Sequence, residues 1–431
     1  MKTKIINANL VDVENGKIIK NSAVIINGSV IEDVMSNQKS GENFDRIIDF
    51  NNDLLMPAFI NAHAHSAMTL FRSIADDVPL DKWLFDYIFP LEKKLTAEDV
   101  YNGTMLAILE YVRGGVATVG DMYLYSENSV LKAASLSGIN IVSIGGASDI
   151  TGQAEKEIEI QEEYYQKLNN KFENIGYIIG CHAEYTCSEK LINMLVDLSY
   201  KYKAPIYTHA SETLKEVGDC AVRHNNLSPI LYLNKCGFFD NGATLAHCVH
   251  ADKDDIKVLH NKGVNVVHNP SSNLKLASGI APVYTIQKNG VCVALGTDGA
   301  ASNNSLDMFK EMYLASVLQK AQMSDACAVT SHTAIKMATI NGAKALNLKN
   351  RGIIKKGYKA DLIRVDINGA HMQPNNNLLN NLVYAAKSSD VLMTMANGKI
   401  LYENGNYYIG EKFDRIIANA KKSIKELKER I

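Results

Sequence analysis

Leu54-Leu55-Met56-Pro57-Ala58-Phe59-Ile60 runs directly into Asn61-Ala62-His63-Ala64-His65. The apolar run reads as a buried strand. Strand side chains alternate faces, so His63 and His65 project from the same side. Two imidazoles at one strand end can reach a single cation, but a strand can donate little more, and other elements must supply any remaining ligands. A bare His-x-His is more often a pair of satisfied polar histidines than a metal site. The rest of the chain decides between the two.

From Leu54 onward the pattern is strand, loop, helix, repeated. The strand candidates are Leu54–His65, Val116–Met122, Ile139–Gly145, Ile175–His182, Pro205–His209, Ala243–His247, Val264–His268 and Val291–Gly296. Several are continuous apolar runs, as parallel strands covered by helices should be. Thr96-x-x-Asp99 has the form of a capping box, with Gly114-Gly115 ending the helix that follows. Ser188 can cap a helix whose Leu191, Met194, Leu195 and Leu198 make one apolar stripe. Eight such units over about 240 residues predict a (β/α)8 barrel, assigned to residues 57–349.

Short strand-like runs flank it: Thr3–Val11, Lys17–Ile26 and Val30–Val34 before, Lys359–Val365, Val391–Ala396 and Lys399–Tyr402 after, with Asn397-Gly398 as a hairpin signal. Residues 1–56 and 350–412 are therefore expected to share a small β-sandwich, and 413–431 to form a terminal amphipathic helix. Apolar content of 46% and charged content of 21% are globular values. A net charge of −2 gives no case for nucleic acid or an anionic membrane as partner, and no apolar run reaches membrane-spanning length. Seven scattered cysteines without a Cys-x-x-Cys fit a reducing cytoplasm, and the short polar N-terminus is no signal peptide. A homo-oligomer is compatible with this composition.

A barrel of this kind places its site where the C-terminal strand ends meet the following loops. His63 and His65 end strand one, His182 strand four and His209 strand five, with Glu212 three residues on. His247 ends strand six, and Asp298 follows strand eight. Imidazoles and carboxylates on five strand ends of one rim favour a metal site. The chosen ligands are His63, His65, His209 and Asp298, a set that suits one zinc, or iron in its place, with room for a water. Strand four offers no lysine to bridge two metals, so a single divalent ion is expected. His250, His268 and His332 are read as structural.

His63-Ala-His65, His182-Ala183-x-Tyr185-Thr186, His209-Ala-Ser-Glu212-Thr213, Ala246-His247-Cys248-x-His250, Asn269-Pro270-x-Ser272-Asn273 and Gly296-Thr297-Asp298 resemble, in order, the amidohydrolase superfamily. The likeness is strongest to its 5′-methylthioadenosine/S-adenosylhomocysteine deaminases. Gly352-x-Ile354-x-x-Gly357-x-x-Ala360-Asp361 resembles that superfamily's return to its small sandwich. The resemblance implies hydrolytic deamination of an adenine nucleoside: adenosine, 5′-deoxyadenosine, 5′-methylthioadenosine or S-adenosylhomocysteine. It implies Glu212 as the acid that protonates the ring, His247 as the residue that orients water, and Asp298 as both ligand and proton acceptor. It also implies that Glu92 grips the ribose and His182 the nucleoside, with Glu212 and Asp298 touching substrate as well. Trp83, the only tryptophan, lies with Glu92 in a long segment that has the character of a lid.

The chain departs from that branch in two places. The arginines expected after strand three are replaced by Gly145-Gly146-Ala147-Ser148-Asp149 and Gly152-Gln153-Ala154-Glu155, and Glu184 stands where proline is usual. A neutral 5′ group is therefore expected, unless Lys275 or Arg72 supplies a cation. The competing readings are a hydrolase of another nitrogen heterocycle (guanine, pterin or triazine type) and a scaffold without catalysis, against which the full ligand set argues.

Overall fold

In the computed structural model, which describes residues 1–36, 43–123, 127–150, 152–169 and 171–430, the run Leu54–His65 is two strands. Leu54–Pro57 pairs with Asn9-Leu10 and with Leu362–Val365, whereas Phe59–His65 pairs with Val116–Met122. The changeover falls at Pro57, whose ring leaves no N–H for a ladder. The next two N–H groups already point to different partners, Ala58 to Asp361 O at 3.0 Å and Phe59 to Gly115 O at 2.9 Å. A single apolar run thus crosses from one sheet to the other, and its periodicity carries no sign of the crossing.

Phe59–His65 opens a ring of parallel strands: Val116–Met122, Asn140–Ile144, Ile175–Ala183, Ile206–Ala210, Ala243–His247, Asn265–His268 and Val293–Leu295. The chain continues through Gly296-Thr297 to Asp298–Gly299, which pairs back with Ala64-His65 and closes the barrel. Its interior is packed, not open: Ile60, Ala62, Met122, Val142, Ile144, Ile178, Tyr207, Ala246, Val267 and Ala294 fill it. Ala343, Ala345 and Leu346, in and just after the helix Ile340–Ala345, close the end opposite the site.

The terminal segments build the second sheet. Its order is Asn406–Tyr407, Lys399–Glu403, Val391–Ala396, Leu362–Val365, Leu54–Pro57, Lys2–Asp12, Lys17–Asn27, Val30–Ser36, with Arg46–Asp49 beside Lys2–Asp12. One continuous ladder wraps over its own core of Ile5, Val24, Ile31, Phe50, Leu362 and Met393, and a bridge between Val30 and Lys359 draws distant parts of it together. Register shifts in Lys2–Asp12, around Asn7 at φ 54°, supply the local twist that such wrapping needs. Asn397 and Gly398 both adopt positive φ, 48° and 73°, as a two-residue hairpin turn requires.

The helix Ala97–Arg113 starts at the Thr96–Asp99 capping box. Asp99 also pairs with Arg430 at 2.8 Å, which pins the terminal helix Phe413–Glu429 along it, aided by Asn102 Nδ2 donating to Ser423 Oγ at 3.0 Å. Ile416, Ala420 and Leu427 form its buried face. The expected terminal segment 413–431 ends in Ile431, outside the described residues. We propose the division these sheets support: 1–56 with 350–412, the barrel 57–349, and the helix after 412.

Candidate active site

Strict alternation along Phe59–His65 would put His63 on the side opposite Ile60 and Ala62, both of which face the barrel interior. A register shift between Asn61 and Ala64 marks a bulge that turns His63 inward. Its ring then stacks on Tyr207, with centroids 5.7 Å apart and planes 12° apart. Gly296 makes room for it: a Cβ there would lie 2.8 Å from His63 Cβ.

Nδ1 of His65 donates to Met122 O and Nδ1 of His209 donates to His182 O, both at 2.5 Å. That assignment leaves the Nε2 lone pairs of both rings directed inward. His209 Nε2 lies 3.0 Å from His63 Nε2 and 3.4 Å from His65 Nε2. Asp298 Oδ1 lies 3.2 Å from His65 Nε2 and 3.6 Å from His63 Nε2. Electron-rich atoms this close repel unless a cation lies among them. Ligand atoms around a tetrahedral ion with bonds of about 2.0–2.1 Å stand about 3.3 Å apart, so the donor set fits a divalent metal. Burial pushes the His63 imidazole down to about 4 and His209 well below its usual range, which keeps both neutral as a ligand must be.

Supports around this cluster come from the short helices Pro270–Lys275 and Ala300–Asn303 and the segment that follows the first of them. Asp298 (φ 60°) turns Oδ2 to the hydroxyls of Ser272 at 2.6 Å and Ser302 at 2.9 Å, leaving Oδ1 for the imidazoles. His247 (φ 72°) has Nδ1 2.7 Å from Asn273 Oδ1, so Nδ1 carries the proton and Nε2 is free to accept. Nε2 lies 3.8 Å from Glu212 Oε2, and Ser278 Oγ donates to Glu212 Oε1 at 3.2 Å. His250 in turn donates to Ser278 O at 2.7 Å and so steadies the loop that holds Glu212. Burial raises the Glu212 carboxyl. Left-handed backbone at Asp298 and His247 is strain of the kind that sites retain. Ser272 and Asn273 were visible in a motif without roles, whereas Ser278 and Ser302 carried no signal, because a lone serine has many local uses.

The cavity over the cluster is lined by Met68, Leu80, Trp83, Leu84, Phe89 and Leu276, together with His182, Tyr185, Glu92 and Tyr123. Glu92 is 2% exposed, so it belongs to the site and not to a solvated charge run. Burial raises its carboxyl to about 7, against the opposing pull of His65 and a hydrogen bond from Tyr123. Trp83–Ile88 forms a π-helical turn between two short α-helical pieces, which brings Trp83 and Glu92 onto the cavity. His182 sits on the wall with Nδ1 3.1 Å from Thr186 Oγ1, pushed down to about 3 by burial. His332 bonds Val13 O, and neither His332 nor His268 lines the cavity.

No lysine or arginine among the described residues lines this cavity. An adjoining outer groove carries Lys215, Arg223 and Lys275, each already paired: with Asp219 at 2.6 Å, Glu184 at 2.6 Å and Asp76 at 2.5 Å. Arg72 is held by Glu110 at 2.5 Å. Glu184, the residue standing where proline is usual, thus has a structural use: its buried carboxylate binds Arg223 and His224 together.

Residues 54–401 match the amidohydrolase family, and the chain belongs to it. It is 42% identical over 388 residues, 90% of each chain, to a 5-methylthioadenosine/S-adenosylhomocysteine deaminase of Dictyoglomus thermophilum. It is 40% identical over 418 residues, 96% of this chain and 95% of the other, to a 5′-deoxyadenosine deaminase of Methanobrevibacter smithii. Its fold is similar to a zinc-bound adenosine deaminase of Xanthomonas campestris, with a TM-score of 0.94, 30% identity and coverage of 99% and 98%.

Proposed function

We propose that this chain is a divalent-metal aminohydrolase that converts an adenine nucleoside and water into the inosine analogue and ammonia. The observation that carries the reading is one cavity lined by His65, His209 and Asp298 of the cluster they form with His63, by Glu212 beside His247, and by the buried Glu92. The similar proteins named as deaminases of 5-methylthioadenosine, S-adenosylhomocysteine, 5′-deoxyadenosine and adenosine support the substrate class. Zinc is the assigned metal, with iron as the alternative, because three imidazole nitrogens and a carboxylate oxygen suit either. When bound, such an ion acidifies a water it holds toward a pKa of about 7 and so supplies a nucleophile near neutrality.

The side chains divide the proton work. Glu212, whose carboxyl is raised by burial, donates to the ring nitrogen next to the amino-bearing carbon. His247 Nε2 accepts a hydrogen bond from the water and aims it. Asp298 takes one proton from that water and returns it to the departing nitrogen; the water's second proton passes to Glu212 as the ring carbonyl forms, and ammonia leaves. Glu92 accepts from the two ribose hydroxyls, and His182 contacts the nucleoside. No helix among the described residues is long and apolar enough to cross a membrane. All seven cysteines are unpaired, which supports a reducing cytoplasm.

The test is ammonia release across adenosine, 5′-deoxyadenosine, 5′-methylthioadenosine, S-adenosylhomocysteine, guanine and a triazine. Release from the adenine nucleosides is expected, and release only from guanine or the triazine would replace the reading. Elemental analysis should find about one divalent ion per chain, and His209→Ala should retain much less. Two ions per chain, or none with full activity, would contradict the assignment.

The Glu92 carboxyl gives a pH signature. Its pKa is raised to about 7, so it is protonated below that pH and ionised above it. An ionised acceptor makes the stronger bonds to hydroxyls. The kcat/KM advantage of a ribonucleoside over its 2′,3′-dideoxy counterpart should therefore grow about tenfold between about pH 6 and about pH 8. Glu92→Gln should flatten that dependence. An advantage in the wild type that does not change with pH would remove Glu92 from ribose binding.

A further inference from the structure

Thr213-Leu214-Lys215-Glu216 has the form of a capping box at the start of the helix Leu214–Arg223. Thr213 plays its part, its hydroxyl accepting the Glu216 N–H at 3.0 Å. In the usual box the glutamate returns to the N–H of the capping residue. Here Glu216 reaches further back: Oε1 accepts the Ser211 N–H at 2.7 Å and Oε2 the Glu212 N–H at 2.6 Å. Both bonds are short and charge-assisted in the ionised form. Ser211 holds φ 54°, a left-handed conformation that a serine keeps only where its surroundings impose it. Its carbonyl is tied as well, accepting the His250 N–H at 3.0 Å. This turn is the whole connection between His209 and Glu212. The Glu216 side chain is buried at the boundary between the catalytic cavity and the outer groove. No ion pair to it is found among the described residues, so its two backbone donors account for its burial.

We infer that Glu216 is a positioning residue for Glu212: its carboxylate clamps the Ser211–Glu212 backbone and so sets where the acid meets the substrate ring. The helix start has its own cap in Thr213 and does not need Glu216 for it. The inference rests on the deaminase reading and says which residue makes its acid effective.

The experiment is a double-mutant cycle of wild type, Glu212→Gln, Glu216→Gln and the double variant, each loaded with metal and assayed for ammonia release from 5′-methylthioadenosine. Glutamine matches glutamate in shape but turns an amide NH2 toward one of the two N–H groups, so one clamp bond is lost. In the wild-type background kcat should fall roughly ten- to hundredfold, the scale of an ångström-level misplacement, with KM changed only a few-fold. Metal content should stay at the wild-type level. In the Glu212→Gln background the same change should cost no more than about twofold, because nothing is left for Glu216 to position. If Glu216→Gln does not accumulate as folded protein, Glu216→Asp, which keeps the charge and shortens the reach, goes through the same cycle with the same expectation. Equal losses in both backgrounds, or kcat retained within about twofold, overturn the role. A wild type that releases no ammonia from any adenine nucleoside overturns the deaminase reading and this inference with it; an active wild type with an additive cycle overturns only the role of Glu216.

Discussion

Glu212→Gln is expected to lower kcat at least about a hundredfold, the usual scale for a general acid–base group, while metal content stays near that of the wild type. Glutamine keeps the volume and polarity of the side chain but has no carboxylic proton to give. The residue faces His247 Nε2 at 3.8 Å and accepts from Ser278, and neither contact is to the four clustered donors. The substitution therefore separates the acid from the ligands, and burial, which raises the Glu212 carboxyl, favours its proton-donating form. Steady-state kinetics together with elemental analysis read both halves. Turnover within a few-fold of wild type would make Glu212 a structural residue, and loss of metal alongside activity would move it into the ligand set.

The second large effect concerns the far end of the substrate. S-Adenosylhomocysteine carries an amino-acid carboxylate at its 5′ end, whereas 5′-methylthioadenosine carries a methyl group. No cation lines the cavity among the described residues, and the segments after strand three, which hold glycine and alanine in place of arginine, do not line it either. Lys215, Arg223 and Lys275 stand in the outer groove with carboxylate partners already in place, so each would have to give up an ion pair to serve a substrate. A carboxylate left without a cation loses charge-assisted hydrogen bonds of about 1.5–3 kcal/mol each. Two such losses lower kcat/KM by about two to four powers of ten, at about 1.4 kcal/mol per tenfold. The expected result is that kcat/KM for 5′-methylthioadenosine exceeds that for S-adenosylhomocysteine by that margin under one set of conditions. Equal values would mean that one of the groove cations exchanges partners on binding, with Arg223→Ala and Lys275→Ala identifying which.

The sequence by itself determined the architecture and the rim. Repeated apolar runs followed by helical periodicity are local signals, and a parallel barrel must place all its C-terminal strand ends together. A histidine read at a strand end was therefore already a histidine on that rim. The same locality made Thr96–Asp99 and Ser188 legible as caps, since a cap depends only on residues a few positions away. Tertiary structure alone decided the rest. The bulge at Asn61–Ala64 turns His63 inward, and it arises from register against Val116–Met122, a neighbour the run itself does not specify. Asp298 meets His63 and His65 because the eighth strand pairs back onto the first, with Asp298 opposite Ala64. Without the family resemblance Glu92 reads as one charge in Glu92-Lys93-Lys94, and its burial next to the π-helical turn is seen only in the structure. Glu216 reads as an ordinary capping glutamate until its carboxylate is seen on the backbone of Ser211 and Glu212. Periodicity and capping are set by a few adjacent residues, whereas burial of a charge and the register of a ring closure are set by contacts between segments far apart in the chain, and only the packed structure brings those together.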